Sequence, residues 1–152
     1  MSKIRQIIYT SKAACPFSSE ELRLLVDASA GNNRRNGITG ALLFVEQSFI
    51  QVIEGEEDAV AVLLTTIKND PRHTDFRIIS DQVQEGRHFS EWSMALVTPP
   101  EQDRPQVVRE LRSASEYADS HAGEHMPLQM PETFEMMQHL YNADRVLQGA
   151  RG

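Results

Sequence analysis

The sequence predicts an α+β fold of the ferredoxin-like type, with elements in the order β-α-β-β-α-β-β. Two observations predict it. Short apolar segments alternate with two segments of helical periodicity, and a polar two-residue break joins the second and third strands as a hairpin. Right-handed crossovers would put both helices on one face of the sheet. The groove between two such helices is a natural slot for a flat ligand.

The first strand and the first helix occupy the N-terminal part of the chain. Residues 4–10 are largely apolar and predict a buried strand, and Pro16 follows it. Ser18 and Glu21 have the spacing of a capping box, which predicts a helix start. The apolar residues that follow at helical spacing are Leu22, Leu25 and Val26. Gly31 and the two asparagines after it predict the end of this helix.

A hairpin, a second helix and two further strands follow. Residues 38–45 and 48–53 predict two short strands around the break at 46–47. A helix that starts at Glu57 or Asp58 would end at the Asn69-Asp70-Pro71 segment, because the residue before proline disfavours helix. The apolar stripe of that helix is Val60, Leu63, Leu64 and Ile67. The fourth and fifth strands are predicted at 76–83 and 92–97.

The C-terminal third reads as an appendage. Pro99-Pro100 marks the end of the core, so the sequence predicts a domain over residues 1–98 and a helical extension over 99–152. Helices are expected at 105–113 and 131–147, separated by a polar, breaker-rich stretch. We expect the extension to cover the open face of the sheet or the surface of a partner.

Composition narrows the function classes. The chain has 152 residues and a formal charge of −7, which argues against a nucleic-acid binder. It contains no apolar run near the ~20 residues that cross a bilayer, and its N-terminus lacks a signal-peptide core, so we expect a cytoplasmic protein without membrane contact. The single cysteine, Cys15, excludes an internal disulfide, and the irregularly spaced histidines suggest no metal site.

Two strand residues are candidates for chemistry. Tyr9 in the first strand is ordinarily a packing residue, but a phenol is also a one-electron donor to a strong oxidant if its proton has somewhere to go. Gln51 stands in an otherwise apolar strand, where it is either an outward-facing polar residue or a buried amide that needs partners. Because an amide both donates and accepts, its rotation or tautomerisation would rearrange a hydrogen-bond network.

Other candidates lie at loops and at the last strand. Asn32 and Asn33 suit a helix C-cap, a ligand contact, or both. Arg72 and His73 form either a solvated turn or contacts to a ligand, and Arg34 and Arg35 suit a diphosphate. Trp92 and Met94 alternate along the fifth strand, so strand periodicity predicts that they share a face, with Ser93 on the other.

In order and at compatible spacing over residues 3–97, these motifs resemble the BLUF domains, a family of flavin-based blue-light sensors. The motifs that carry the resemblance are Tyr9, Asn32-Asn33 with Gly37-Ile38-Thr39-Gly40, Phe49-Ile50-Gln51-Val52-Ile53-Glu54-Gly55, Asp70-Pro71-Arg72-His73 and Trp92-Ser93-Met94. The resemblance implies non-covalent FAD as the cofactor, with FMN or riboflavin as substitutes.

The resemblance also implies residue roles. Tyr9 would be the photochemical electron donor, and Gln51 the hydrogen-bond switch toward the N5 and O4 edge of the ring. Trp92 and Met94 would transmit the signal. The expected cofactor contacts are Tyr9, Gln51, Asn32, Asn33, Arg72 and His73, with Asn33 on the imide edge of the ring.

The expected output is a change in protein contacts. The chain stops at Gly152, too soon for an effector domain, so we expect a short photoreceptor that acts on a separate effector protein and forms a homo-oligomer. The expected contact surface includes the tail residues Phe134, Met137 and Tyr141. One alternative is a light-independent enzyme that uses flavin on a ferredoxin-like fold, which would need an acid or base in the groove. Another is a degenerate module that binds flavin only as structure, although the presence of both Tyr9 and Gln51 argues against it.

Overall fold

The structure, a computed structural model, describes residues 3–120, 131–142 and 148–151. The predicted β-α-β-β-α-β-β order and the C-terminal helices are confirmed, and a short additional strand follows them. A 3₁₀ turn, Glu101–Asp103, leads into the third helix. The elements are β1 Ile4–Ala13, α1 Ser19–Arg35, β2 Thr39–Val45, β3 Ser48–Gly55, α2 Glu57–Lys68, β4 His73–Gln84, β5 Trp92–Val97, α3 Arg104–Ser120, α4 Pro131–Asn142 and β6 Gln148–Arg151.

Six strands of the described segments form one mixed sheet in the order β4-β1-β3-β2-β5-β6. All neighbours are antiparallel except β2 and β5, which run parallel and pair at Ala95, Leu96 and Val97 of β5. In the centre of the sheet, the antiparallel register of β1 and β3 sets Tyr9 directly opposite Gln51. Two candidate residues that lie 42 positions apart in sequence therefore become cross-strand neighbours.

The hairpin between β2 and β3 has the predicted two-residue turn. Glu46 and Gln47 have φ angles of 48° and 61°. Positive φ at both central residues is the geometry of a type I′ turn, whose twist matches that of the flanking strands. This turn fixes the register of β3 and hence the position of Gln51.

Each face of the sheet carries its own apolar cluster. The helix-pair face packs against α1 and α2 through Ile7, Ile53, Val26 and Val60. The tail face packs against α3 and α4 through Ile8, Ile50, Val52, Val107 and Leu140. The sheet is therefore the middle layer of three, with one pair of helices on each side.

The predicted end of α1 at Gly31 is wrong. The capping box of Ser18 and Glu21 starts the helix as expected, but the helix continues through both asparagines to Arg35. The buried side chain of Asn33 donates from Nδ2 to the carbonyl oxygen of Ser93 at 3.0 Å. This tertiary contact and the packing of the last turn override the glycine.

The tail also differs from the prediction. The residues after Ser113 were expected outside a helix, but α3 continues to Ser120 because Ala114 and Ala118 are buried four positions apart against the tail face. Small side chains at this spacing let the helix lie close to the sheet. The predicted extension of α4 beyond Asn142 falls on residues 143–147, outside the described ones. The strand β6 was not predicted, because its four residues have no alternating pattern.

A buried carboxylate fixes the segment before β5. The side chain of Glu54 is 0% exposed and accepts from the backbone N–H groups of His88 at 3.0 Å and Phe89 at 2.7 Å. It also accepts from the side-chain amides of Gln6 and Gln84, each at 2.8 Å. These bonds tie β1, β3 and β4 to the loop that leads into β5.

Candidate functional site

A cavity of about 230 Å³ lies between α1 and α2, above β1 and β3. All six residues expected to contact a cofactor line it, together with Met94. The remaining lining residues are Ser11, Phe17, Leu25, Ala28, Ser29, Leu42, Phe49, Leu63, Thr66, Ile67 and Asp70. The volume is slightly below the usual range for drug-sized ligands, ~300–1,000 Å³, and suits the flat ring of a larger molecule.

Tyr9 and Gln51 form a hydrogen bond on the floor of this cavity. The phenol O–H of Tyr9 donates to Oε1 of Gln51, and the two residues are 5% and 8% exposed. Burial, and to a lesser extent the charge of Asp70, raises the pKa of Tyr9 far above its usual value of 10.0. The phenol therefore stays protonated near neutral pH and acts as a donor to the amide.

The other end of the Gln51 amide reaches β5. Its Nε2 donates to Sδ of Met94 at 3.5 Å. A chain of three side chains therefore runs from β1 through β3 to β5 without leaving the cavity. Sulfur is a weak acceptor, so this last contact is readily exchanged for a stronger one. The amide can rotate or tautomerise only if both bonds rearrange together.

The two asparagines take different positions at the end of α1. Asn33 is buried and uses its amide N–H to bind the carbonyl oxygen of Ser93. Its side-chain oxygen is the group that could accept from the N–H of a flavin imide. Asn32 is exposed and lies at the rim of the cavity. Arg34 and Arg35 are also exposed, but the structure does not place them in the cavity lining.

Arg72 and His73 stand at the opposite side of the cavity, after α2. The guanidinium of Arg72 donates to Asp70 from Nη2 at 2.6 Å and from Nε at 3.0 Å, which lowers the pKa of Asp70. Nε2 of His73 lies 2.6 Å from the carbonyl oxygen of Ile67, within hydrogen-bond distance when that nitrogen carries the proton. The cavity therefore has a positively charged group at its mouth whose orientation is fixed.

The prediction that Trp92 and Met94 share a face is wrong. Met94 is buried in the cavity wall, whereas Trp92 packs with the tail-face cluster. Trp92 pairs with Arg151 and Met94 with Ala150, so β5 advances by two residues where β6 advances by one. Such a β-bulge breaks the alternation of side chains between the two faces. Ser93 is buried between them.

Tail residues expected at a contact surface are buried instead. Met137 is 1% exposed and Tyr141 is 0% exposed, and both belong to the tail-face cluster. Phe134 is partly buried and contacts the ring of Phe89 edge to face, with centroids 5.4 Å apart. Their expected role as a partner surface conflicts with this burial, because apolar residues on one helix face pack on the sheet first.

Sequence reasoning missed several lining residues. Phe17 and Phe49 meet edge to face with ring centroids 5.5 Å apart and form an aromatic end wall. Ser11 and Ser29 add hydroxyl groups. The signals were present, since Ser11 is two residues after Tyr9 on the same strand and Ser29 is one helical turn before Asn33.

Two further classes of site are absent from the described part of the chain. No group of His, Cys, Asp and Glu side chains there could hold a metal ion. The histidines at 121 and 125 lie outside it. No helix within residues 3–120 or 131–142 combines the length and the apolar character needed to cross a membrane.

A comparison with protein families finds one match that covers most of the chain. The model of the family described as "BLUF: Sensors of blue-light using FAD" matches residues 4–95. This range contains the six residues expected to contact a cofactor, together with Trp92 and Met94, and it ends two residues before the end of β5.

Among curated proteins, photoactivated adenylate cyclase subunit beta of Euglena gracilis is 34% identical over 123 residues, which cover 75% of this chain. The chain spans only 14% of that relative's length. A second similar protein, the subunit beta-like protein FB of the same organism, is 33% identical, and 15% of its length is covered.

Among solved structures, BlrB, described as a BLUF protein in its dark state, matches with a TM-score of 0.66 and 25% identity over 95% of this chain and 98% of that chain. Klebsiella pneumoniae BlrP1, described with FMN and cyclic diGMP, matches with a TM-score of 0.58 and 25% identity. The match covers 86% of this chain and 34% of BlrP1.

Proposed function

Because this chain belongs to the BLUF family of blue-light sensors that use FAD, we propose that it is a photoreceptor that passes a hydrogen-bond rearrangement around a bound flavin to a separate protein. One observation carries the proposal: the unbroken contact chain Tyr9–Gln51–Met94 along the cavity floor. It joins a redox-capable phenol to the strand next to the tail.

The groups that line the cavity suit a flavin. Its lining combines apolar and aromatic side chains with amide, hydroxyl, imidazole and guanidinium groups, as expected for a flat ring with a hydrogen-bonding edge and a polar side chain. We propose that Asn33 meets the imide edge, that Asn32 lies beside the polar rim, and that Arg72 and His73 bind from the side of α2. We propose FAD rather than FMN as the natural cofactor, in line with the family description.

A bound flavin would supply absorption of blue light and, once excited, a strong one-electron oxidant. Tyr9 would be the donor of that electron, and its hydroxyl proton would pass to the acceptor network headed by Oε1 of Gln51. Electron and proton would both return to Tyr9, so that no net oxidation would remain. Moving the proton with the electron avoids a separated charge in a low-dielectric interior.

The lasting change is in Gln51. During the proton movement its bond from Tyr9 is lost, and the amide rotates or tautomerises before the bond re-forms. Its N–H then no longer points at Sδ of Met94. Met94 loses its donor, and the wall of the cavity at β5 rearranges. We propose that this step passes the light signal from the cavity to β5.

The strand β5 contacts both faces of the sheet. Trp92, two residues before Met94, packs on the tail face because of the bulge between them, so a movement of Met94 on the cavity side can displace Trp92 on the other side. We propose that Trp92 and Met94 together transmit the change to α3 and α4. The sensor domain would then be residues 1–98 and the responding extension residues 99–152.

We also propose that the chain has no catalytic activity of its own and works in the cytoplasm, as a homo-oligomer or with its effector. The ring centroid of His73 lies 6.4 Å from that of Tyr9, and Nε2 of His73 lies 2.6 Å from the carbonyl oxygen of Ile67. Asp70 is paired with Arg72. An enzyme would need one of these groups to act as an acid or base on a substrate.

The first test is an absorption spectrum of the purified protein in the dark, after blue light, and during recovery. We expect a flavin spectrum that shifts to longer wavelength and returns thermally, because a new hydrogen bond to O4 stabilises the excited state. A flavin that bleaches or does not respond would favour the enzyme alternative. Protein without flavin that also fails to take up added FAD would refute the proposal.

A matched pair of variants tests the role of Tyr9. Tyr9→Phe should bind flavin and lose the red shift, because the donor hydroxyl is gone. Tyr117→Phe removes a phenol from α3, outside the cavity lining, and should switch like the wild type. A full red shift in Tyr9→Phe would contradict the mechanism while leaving flavin binding established.

A further inference from the structure

Ser11 presents a buried hydroxyl to the cavity. Its side chain is 2% exposed, and within residues 3–120, 131–142 and 148–151 its Oγ finds no hydrogen-bond partner. Leaving a hydroxyl buried without a partner costs roughly 1–3 kcal/mol, so such groups are rare in stable folds. The position of the hydroxyl therefore points to a partner supplied by a ligand.

The strand register places this hydroxyl on the same face as the switch. Ser11 lies two residues after Tyr9 and pairs with Phe49 of β3, just as Tyr9 pairs with Gln51. Both Phe49 and Gln51 belong to the cavity lining. Two residues along a strand advance the chain by ~7 Å, which is less than the length of a three-ring system.

Ser11 also coincides with an irregularity in the sheet. The pairing of β1 with β4 shifts between Thr10 and Lys12, and Ser11 has no partner residue there. A bulge at the edge of a site commonly re-aims a side chain toward it.

We propose that Ser11 is a further flavin-binding residue, whose hydroxyl forms a hydrogen bond to the bound flavin beyond the Tyr9–Gln51 pair. This inference rests on the proposed function. It adds a contact on β1 that none of the predicted site residues supplies, and it gives the first strand two contacts with one ligand.

Thr10 provides a matched control on the same strand. It is also 2% exposed, and its Oγ1 likewise has no partner among the described residues. Thr10 lines a separate cavity of about 350 Å³ beside α3, which Ser11 also borders. Thr10 does not line the cavity between α1 and α2. Thr10→Val removes a comparable buried hydroxyl without touching the flavin.

The experiment measures the affinity of flavin-free wild type, Ser11→Ala and Thr10→Val for FAD and for lumiflavin, which has the ring without the side chain. We expect Ser11→Ala to bind FAD roughly two- to tenfold more weakly than the wild type, the effect of one neutral hydrogen bond. Thr10→Val should bind as the wild type does. Ser11→Cys keeps a similar volume and a weak donor, so its affinity for FAD should lie between those of Ser11→Ala and the wild type.

The lumiflavin result locates the contact. Weaker binding of both compounds by Ser11→Ala places the hydroxyl on the ring, and weaker binding of FAD alone places it on the ribityl chain or beyond. Equal affinity of Ser11→Ala and the wild type for both would overturn the inference, while a normal light response in the same samples would leave the proposed function intact. Wild type that binds neither compound would overturn both.

Discussion

The hydroxyl of Tyr141 accepts a hydrogen bond from the backbone N–H of Trp92 at 2.5 Å and donates one to the carbonyl oxygen of Trp92 at 3.1 Å. A single side chain of α4 thus holds both backbone polar groups of the first residue of β5. Tyr141 is fully buried, and its ring packs edge to face on Phe89 with centroids 5.0 Å apart. Any movement of β5 at Trp92 must break or carry this contact.

Replacing Tyr141 with Phe should separate sensing from output. The red shift should keep its full amplitude, because Tyr141 is not among the residues that line the cavity. The light-induced change in amide hydrogen exchange of α4 should become smaller, because the hydrogen bonds that join α4 to the backbone of Trp92 are gone. Tyr117→Phe serves as the control in the tail. A normal exchange response in Tyr141→Phe would exclude this contact as the exit for the signal.

The same tyrosine predicts alkaline sensitivity. Burial raises the pKa of Tyr141 from 10.0 to about 12. Above pH ~10 the unfolded chain releases this proton while the folded chain retains it, so the contribution of Tyr141 to stability is complete below pH ~10 and is lost between pH 10 and about 12. Urea unfolding at pH 8–12 should show a steeper loss of stability in the wild type than in Tyr141→Phe. If stability fell equally steeply with pH in both proteins, the pKa of Tyr141 would be the same in the folded and unfolded chains.

Met94 should set the lifetime of the lit state. Met94→Leu keeps the volume but removes the sulfur that accepts from Gln51 in the dark. The dark orientation of the amide is then less favoured, and we expect recovery in the dark to slow by roughly two- to fivefold. Gln51→Leu, which removes the amide itself, should instead abolish the red shift. Recovery of Met94→Leu at the wild-type rate would mean that the sulfur contact does not stabilise the dark state.

Glu54 should be the most sensitive position outside the cavity. Glu54→Ala leaves two backbone N–H groups and two amides without their acceptor, and we expect a loss of roughly 2–4 kcal/mol in the free energy of unfolding. Glu85→Ala, an exposed carboxylate in the neighbouring loop, should change stability by less than ~0.5 kcal/mol. Chemical denaturation of both variants makes the comparison, and a similar small effect in both would refute the role given to Glu54.

The order of the elements could be predicted from the sequence because each element has a local sequence pattern. Short apolar segments identified the strands, the capping box of Ser18 and Glu21 predicted the start of α1, and the polar break at 46–47 predicted the hairpin. The hairpin fixes the register of β2 against β3 only, so the pairing of Tyr9 with Gln51 also depends on the register of β1 against β3, for which the sequence has no turn. At the level of the sequence, only the family resemblance linked these two residues.

The remainder depends on contacts between distant residues. Gly31 suggested a helix end because glycine is common there. The helix continues because Asn33 binds Ser93, a residue 60 positions later that local patterns cannot take into account. The opposite placement of Trp92 and Met94 follows from a bulge against β6, a strand with no pattern of its own. Local periodicity cannot report either effect, since both arise only when the elements meet.

The pairing of the strands has a consequence for how a partner can act. Tyr9 and Gln51 lie on strands that have neighbours on both sides, whereas β5 pairs with β2 only from Ala95 onward. The segment from Trp92 to Met94 precedes those pairs and has β6 as its strand neighbour among the described residues. A protein that displaced this segment would move Met94, whose sulfur accepts from Nε2 of Gln51, and Ser93, whose carbonyl oxygen accepts from Asn33. Coupling between two sites is reciprocal, so a load on β5 would change the hydrogen bonds of the cavity just as a change in the cavity would move β5.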